Sequence, residues 1–165
     1  WMISIDTHSE KKPAVEASVS ESLVDSQFKY LESRGISRET AEKFGVVSGT
    51  VWMRARGAEV RCIGFPYQNE DGTTAVKWRD GAKNFSQQGA ARNLWQIEKF
   101  TGGDLVICEG ELDVLSFGEA SIFSTSVPNG APVGEVKNGG AKKFSYLWDC
   151  KDKIESADRV ILSLS

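Results

Sequence analysis

The chain has 165 residues, of which 40% are hydrophobic and 26% charged, with a net charge of −3 and a pI near 5.3. That length suits one domain or two small ones packed together, with enough apolar residues for a core. The acidic balance excludes a generally basic nucleic-acid coat, so contact with DNA or RNA has to come from a local patch, and no apolar run approaches the ~20 residues of a membrane span.

Residues 1–21 mix Lys, Glu, Ser and Ala without an apolar stripe and read as a flexible leader. They lack the basic start and apolar centre of a signal peptide, which points to the cytosol. From Ser22 the pattern is helical, with Leu23, Phe28 and Leu31 on one face, and Gly35 supplies a stop. A second helix follows: Ser37 is its N-cap, Glu39 suits the positive end of the dipole, Ala41 and Phe44 face inward, and Gly45 ends it. Residues 59–67 (EVRCIGFPY) and 73–79 (TTAVKWR) flank Asp71-Gly72 and predict a β-hairpin. Trp52 to Arg56 read as a third strand, and 80–93 (DGAKNFSQQGAARN) as a loop.

After Gly102-Gly103 strands alternate with helices. DLVIC (104–108), IFSTSV (122–127) and RVILSL (159–164) are the strands, and ELDVLSFGEA (111–120) and 144–157 the helices. That order predicts a parallel α/β sheet. The expected organisation is a leader (1–21), an α+β subdomain of helical hairpin and antiparallel β-hairpin (22–98), and a partial α/β subdomain with a parallel sheet (99–165). The sequence stops on the third strand, so the expectation is a piece of something longer. Cys62, Cys108 and Cys150 are widely spaced with no CxxC pair, and His8 is the single histidine, which excludes a structural zinc site in this chain. Cys62 and Cys108 lie in predicted strands, as small buried hydrophobes do.

The chemistry concentrates in VICEGELDVLS (106–116), where Glu109, Glu111 and Asp113 follow a buried strand. In an open parallel sheet, ligands gather beyond the carboxyl ends of the strands. Clustered carboxylates repel one another, and a hard cation such as Mg²⁺ removes that conflict. The alternative is acidic decoration of a helix N-terminus. Upstream, Lys77, Arg79, Lys83 and Arg92 stand against a single acid, Asp80. Trp78 and Phe85 interleave with these cations and are suited to stacking on bases, although strand alternation favours the core for Trp78. In SVPNGAP (126–132), Asn129-Gly130 is a turn or a small anion-binding nest. Lys142 and Lys143 read as a solvated helix start.

EGELD after an apolar strand, then a strand and SVPNGAP, resembles the TOPRIM domain of the phage helicase–primase family, which includes the mitochondrial helicase Twinkle. SRGISRETAEKFGV resembles that family's helical segment, and VKWRDGAKNF its basic primase motif; the resemblance runs from about residue 25 to the end. It implies the RNA-polymerase core of a DNA primase, which copies single-stranded DNA into short RNA primers by metal-dependent nucleotidyl transfer. Glu109 then matches the acidic residue that assists catalysis, with Glu111 and Asp113 completing that motif at a Mg²⁺ or Mn²⁺ site. Lys77, Arg79 and Lys83 fall in the basic motif, suited to nucleotide or template phosphates, joined by Arg92, Asn129 and Gly130. The implied partners are single-stranded DNA, ribonucleoside triphosphates and a helicase domain of the same polypeptide, with no membrane. The implied location is a bacterial or phage-infected cytoplasm or, in an organelle, the mitochondrion.

The match departs from the family at one point. The third strand normally ends in an Asp-x-Asp pair, whereas RVILSL runs into Ser165, and no Walker loop or zinc-binding module is present. An excised fragment or a loss of the pair explains this. Either way the metal site is expected to be incomplete, so the chain alone should bind Mg²⁺ weakly and make no primers. The competing function is a non-catalytic domain that holds single-stranded DNA beside a replicative helicase. A TOPRIM nuclease or topoisomerase shares EGELD but not the upstream motifs.

Overall fold

The computed structural model describes residues 20–130 and 144–164. The leader up to residue 19, Ala131-Pro132 of the SVPNGAP loop, Lys142-Lys143 and Ser165 lie outside the described residues.

The first helix, α1 (Asp25–Glu32), starts three residues after Ser22 because Gln27 reaches back to cap it, accepting the Val24 amide at 3.1 Å. Phe28 and Leu31 face the core, as does Leu23 just ahead of the helix. Gly35 turns the chain at φ 75°, a left-handed conformation that favours glycine. In α2 (Arg38–Lys43) the Ser37 hydroxyl accepts the Thr40 amide at 3.1 Å. Both the amide and the hydroxyl of Ser37 donate to Glu119 at 2.7 Å, which ties the hairpin to a helix eighty-two residues away.

Four strands follow in sequential antiparallel order: β1 (Val47–Met53), β2 (Ala58–Gln68), β3 (Thr74–Arg79) and β4 (Phe85–Gln88). The predicted third strand at Trp52–Arg56 lies earlier, at Val47–Met53, because Arg54 to Gly57 form the turn into β2, with the Arg56 amide on Met53 O at 2.9 Å. The predicted loop at 80–93 contains β4. FSQQ carries no apolar alternation, and it is a strand because its backbone pairs with β3 from Val76↔Gln88 to Arg79↔Phe85. Trp78 is fully buried with Val51, Met53 and Cys62. Its ring fits because Gly64 and Gly49 lie beneath it, where a Cβ would stand 2.4 and 2.6 Å from the indole.

The second sheet is parallel with order β6-β5-β7, from β5 (Asp104–Cys108), β6 (Ser124–Ser126) and β7 (Arg159–Ser163). Helix α3 (Glu111–Glu119) follows β5. The helix predicted at 144–157 is two short ones, α4 (Ser145–Asp149) and α5 (Lys151–Glu155), which meet at Cys150. Cys150 sits inward, its sulfur accepting the Leu94 amide at 3.4 Å. Burial pushes the thiols of Cys62, Cys108 and Cys150 up to about 11, so all three are protonated hydrophobes at neutral pH.

One core joins the two sheets. It runs from Phe28, Leu31 and Ile36 through Phe65 and Tyr67 of β2 to Val106 of β5 and Val114 and Leu115 of α3. Trp95 is the joint. Its ring meets Phe65 edge-on at 5.5 Å, its indole N–H donates to Pro66 O at 2.7 Å, and its backbone amide donates to Ser126 O of β6 at 2.9 Å.

Candidate functional site

Where the two sheets face each other they enclose an open cavity of about 740 Å³. The first sheet contributes Lys77 and Arg79 from β3 and Phe85 from β4, with Lys83 from the turn between them. The second contributes Glu109, Gly110, Glu111 and Asp113 from the β5–α3 junction, and Pro128, Asn129 and Gly130 from the loop after β6. Arg34, from the turn between α1 and α2, completes the cationic side. Eight of the nine predicted site residues therefore share one wall-to-wall space.

Arg92 is the exception. Its guanidinium pairs with Asp71 at 3.0 Å on the exposed β2–β3 turn, outside the cavity lining.

The acidic residues take three different positions. Glu111 is almost wholly buried, and its Oε1 accepts both the Tyr67 hydroxyl at 2.6 Å and the Lys77 ammonium at 2.8 Å. Burial, then the charge of Glu111 and its hydrogen bond, push the Tyr67 phenol well above its ordinary range, so it stays a donor. Lys77 is itself only 13% exposed, so this is a buried ion pair that fixes where the ammonium sits. Asp113 turns back on its own helix, its Oδ2 accepting the Gly110 amide at 3.1 Å. That bond caps α3 and leaves its carboxylate at the cavity wall. Glu109 lies half-buried at the end of β5, also lining the cavity. Among the described residues, no three Asp, Glu, His or Cys side chains gather closely enough to hold a metal ion. Glu109 and Asp113 nevertheless line one cavity, and a hard cation that keeps its waters needs only one or two carboxylates beside substrate phosphates.

The basic side is organised by a residue that looked incidental in the sequence. Asp80 Oδ1 accepts the amides of Ala82 at 2.9 Å and Asn84 at 2.8 Å, and its Oδ2 accepts Asn84 Nδ2 at 2.8 Å. These bonds close the β3–β4 turn and hold Lys83 at φ 65°, a conformation unusual for a residue other than glycine. Burial opposes ionisation of Asp80, but the bonds from Asn84 and Ala82 outweigh it and hold its carboxyl below the ordinary range. A group depressed in this way contributes stability above its unfolded pKa of roughly 4, and loses it as pH falls through the folded value. Chemical denaturation between pH 6 and 2 is therefore expected to show a loss of stability below about pH 4 that is shallower in Asp80→Asn. Identical slopes would remove Asp80 from this role.

Tyr67, Asp80 and Arg34 were not legible as site residues. Tyr67 reads as an alternating core position, Asp80 as a turn residue, and Arg34 as a helix-end cation. Arg34 lines the cavity itself, while Tyr67 and Asp80 stand behind it, Tyr67 through its bond to Glu111 and Asp80 through the turn that carries Lys83.

No protein-family model matches the chain. Over 164 residues it is 31% identical to the Twinkle homolog protein, chloroplastic/mitochondrial, of Arabidopsis thaliana, covering 93% of this chain and 22% of that protein. It is 30% identical to the primase homolog protein of the same plant, covering 93% of this chain and 46% of the relative. The chain thus spans less than half the length of these curated relatives. The crystal structure of the primase fragment of the bacteriophage T7 primase-helicase has the same fold, with a TM-score of 0.62 and 22% identity over 93% of this chain and 63% of that one. A T7 primase domain from a complex of lagging-strand DNA polymerase with primase domains bound to an RNA/DNA hybrid and dTTP superimposes at a TM-score of 0.61, with 25% identity over 89% of this chain and 67% of that one. Together these likenesses bear out the resemblance to the TOPRIM primase domain of the phage helicase–primases and Twinkle.

Proposed function

We propose that this chain is the nucleotide- and template-handling core of a DNA primase, in which Lys77, Arg79 and Lys83 bind phosphates and Glu109 faces them from the end of β5. The observation that carries this reading is the single cavity in which the basic strand and the acidic strand end oppose each other. Cations on one wall attract a polyphosphate, and the carboxylates of Glu109 and Asp113 opposite repel it toward that wall. Glu111 works through Lys77: with Tyr67 it holds the ammonium in place and keeps it from folding back to solvent. The Gly130 turn, at φ 70°, adds backbone beside the phosphates.

Primer synthesis also calls for a divalent metal, Mg²⁺ or Mn²⁺, which Glu109 and Asp113 would hold together with water and the nucleotide phosphates. The register Cys108↔Ser163 brings the end of β7 beside the strand end that leads into Glu109. The partners in this reading are single-stranded DNA, ribonucleoside triphosphates and a helicase domain.

Two measurements on the 165-residue chain test the proposal. It is expected to bind ribonucleoside triphosphates in a titration, and to yield no template-directed dinucleotide with Mg²⁺ or Mn²⁺. Failure to bind any nucleotide would contradict the nucleotide-handling role. Dinucleotide synthesis would mean that the carboxylates in this chain suffice for the chemistry.

A further inference from the structure

Phe85 opens β4 at the mouth of the cavity and is 54% exposed. It belongs to none of the core clusters of the fold. Trp78, the other aromatic residue of the basic segment, is fully buried in the core, so it offers no ring face to a ligand. Cross-strand pairing sets Phe85 opposite Arg79 and Gln87 opposite Lys77, which puts ring and cations on one face of the sheet. The Lys77 ammonium stands 5.3 Å from the centre of the Phe85 ring, and Lys83 precedes it in the turn that Asp80 braces. A cavity of about 740 Å³ has room for a base and sugar as well as phosphates.

A site for phosphate alone gains nothing from a large apolar ring held open to water among its cations. A ring face beside fixed cations is instead the arrangement that binds a base and its phosphates together, and it tolerates any base because each has a π-face. We propose that Phe85 is a stacking platform for a nucleobase whose phosphates lie on Lys77, Arg79 and Lys83. The inference rests on the phosphate-binding role proposed above and assigns the half of the ligand that role leaves open. The base belongs to a nucleoside triphosphate or to a single strand, and the test separates them.

Four probes are titrated into wild type, Phe85→Ala and Phe85→Trp: a ribonucleoside triphosphate, inorganic tripolyphosphate, a short single-stranded oligonucleotide, and the same strand without bases. Phe85→Ala is expected to weaken at least one base-bearing probe by about 5- to 150-fold while both phosphate-only probes bind as before. Phe85→Trp is expected to restore the affinity, with its fluorescence quenched as the base stacks. Loss confined to the triphosphate assigns the platform to the nucleotide, and loss confined to the oligonucleotide assigns it to the strand. Unchanged binding of both base-bearing probes to Phe85→Ala would overturn the platform and leave the phosphate role standing, as would an equal loss on the phosphate-only probes. If wild type binds none of the four, both readings fall together. Because the ring is exposed, Phe85→Ala is expected to melt with the wild type, which keeps a folding defect from imitating the result.

Discussion

Trp95→Ala is expected to destabilise the protein by about 3–5 kcal/mol, the usual cost of emptying a fully buried tryptophan site. The indole is completely inaccessible and lies between Phe44, Phe65 and Tyr67 at ring-centroid distances of 6.2, 5.5 and 6.5 Å. Its N–H anchors to β2, while its own backbone is bridged to Ser126 of the other sheet. The truncation therefore leaves a void at the joint between the sheets and exposes the Pro66 carbonyl as an unpaired acceptor. Urea denaturation checks the magnitude. A loss below about 1 kcal/mol, the level of a surface substitution, would mean that the two sheets do not depend on this joint.

Glu111→Gln is expected to be nearly as costly, because it removes the charge and keeps the shape. The Lys77 ammonium is then buried opposite a neutral amide, and breaking one side of a buried ion pair costs about 3–5 kcal/mol. Part of that cost belongs to the stranded ammonium, so Glu111→Gln combined with Lys77→Met is expected to be more stable than Glu111→Gln alone. Denaturation of the two single variants and the double variant measures the coupling. Additive losses would show that Glu111 and Lys77 do not act as a pair. Were Glu111 instead chiefly repelled by the neighbouring carboxylates, Glu111→Gln would stabilise the protein.

These two residues also mark how far the sequence could be read. The helical hairpin was legible because its punctuation is local: Ser37, Gly35 and Gly45 act within one turn of themselves. Trp78 was legible as a core candidate because alternation along β3 separates it from Lys77 and Arg79. The parallel sheet followed from the order of its elements, and the meeting of basic and acidic motifs was anticipated only through the family resemblance. What stayed hidden depends on long-range pairing. Nothing in FSQQ signals a strand until β3 lies beside it, and nothing near Glu111 announces that Tyr67 and Lys77, 44 and 34 residues away, will meet one of its oxygens. Arg92 failed for the same reason in reverse. It belongs to the basic run in sequence, but the irregular segment after β4 delivers it to Asp71.

The proposed seat for nucleic-acid and nucleotide phosphates is the cavity wall formed by Lys77, Arg79 and Lys83. The most direct measurement is the salt dependence of single-stranded DNA binding by wild type and by Lys77→Ala, Arg79→Ala and Lys83→Ala combined. Each phosphate neutralised on a single strand contributes ~0.7 to the slope of log affinity against log salt. The triple variant is therefore expected to bind more weakly, with a slope shallower by about 2 if all three cations touch phosphate. Unchanged affinity together with an unchanged slope would contradict the assignment of this wall to phosphates.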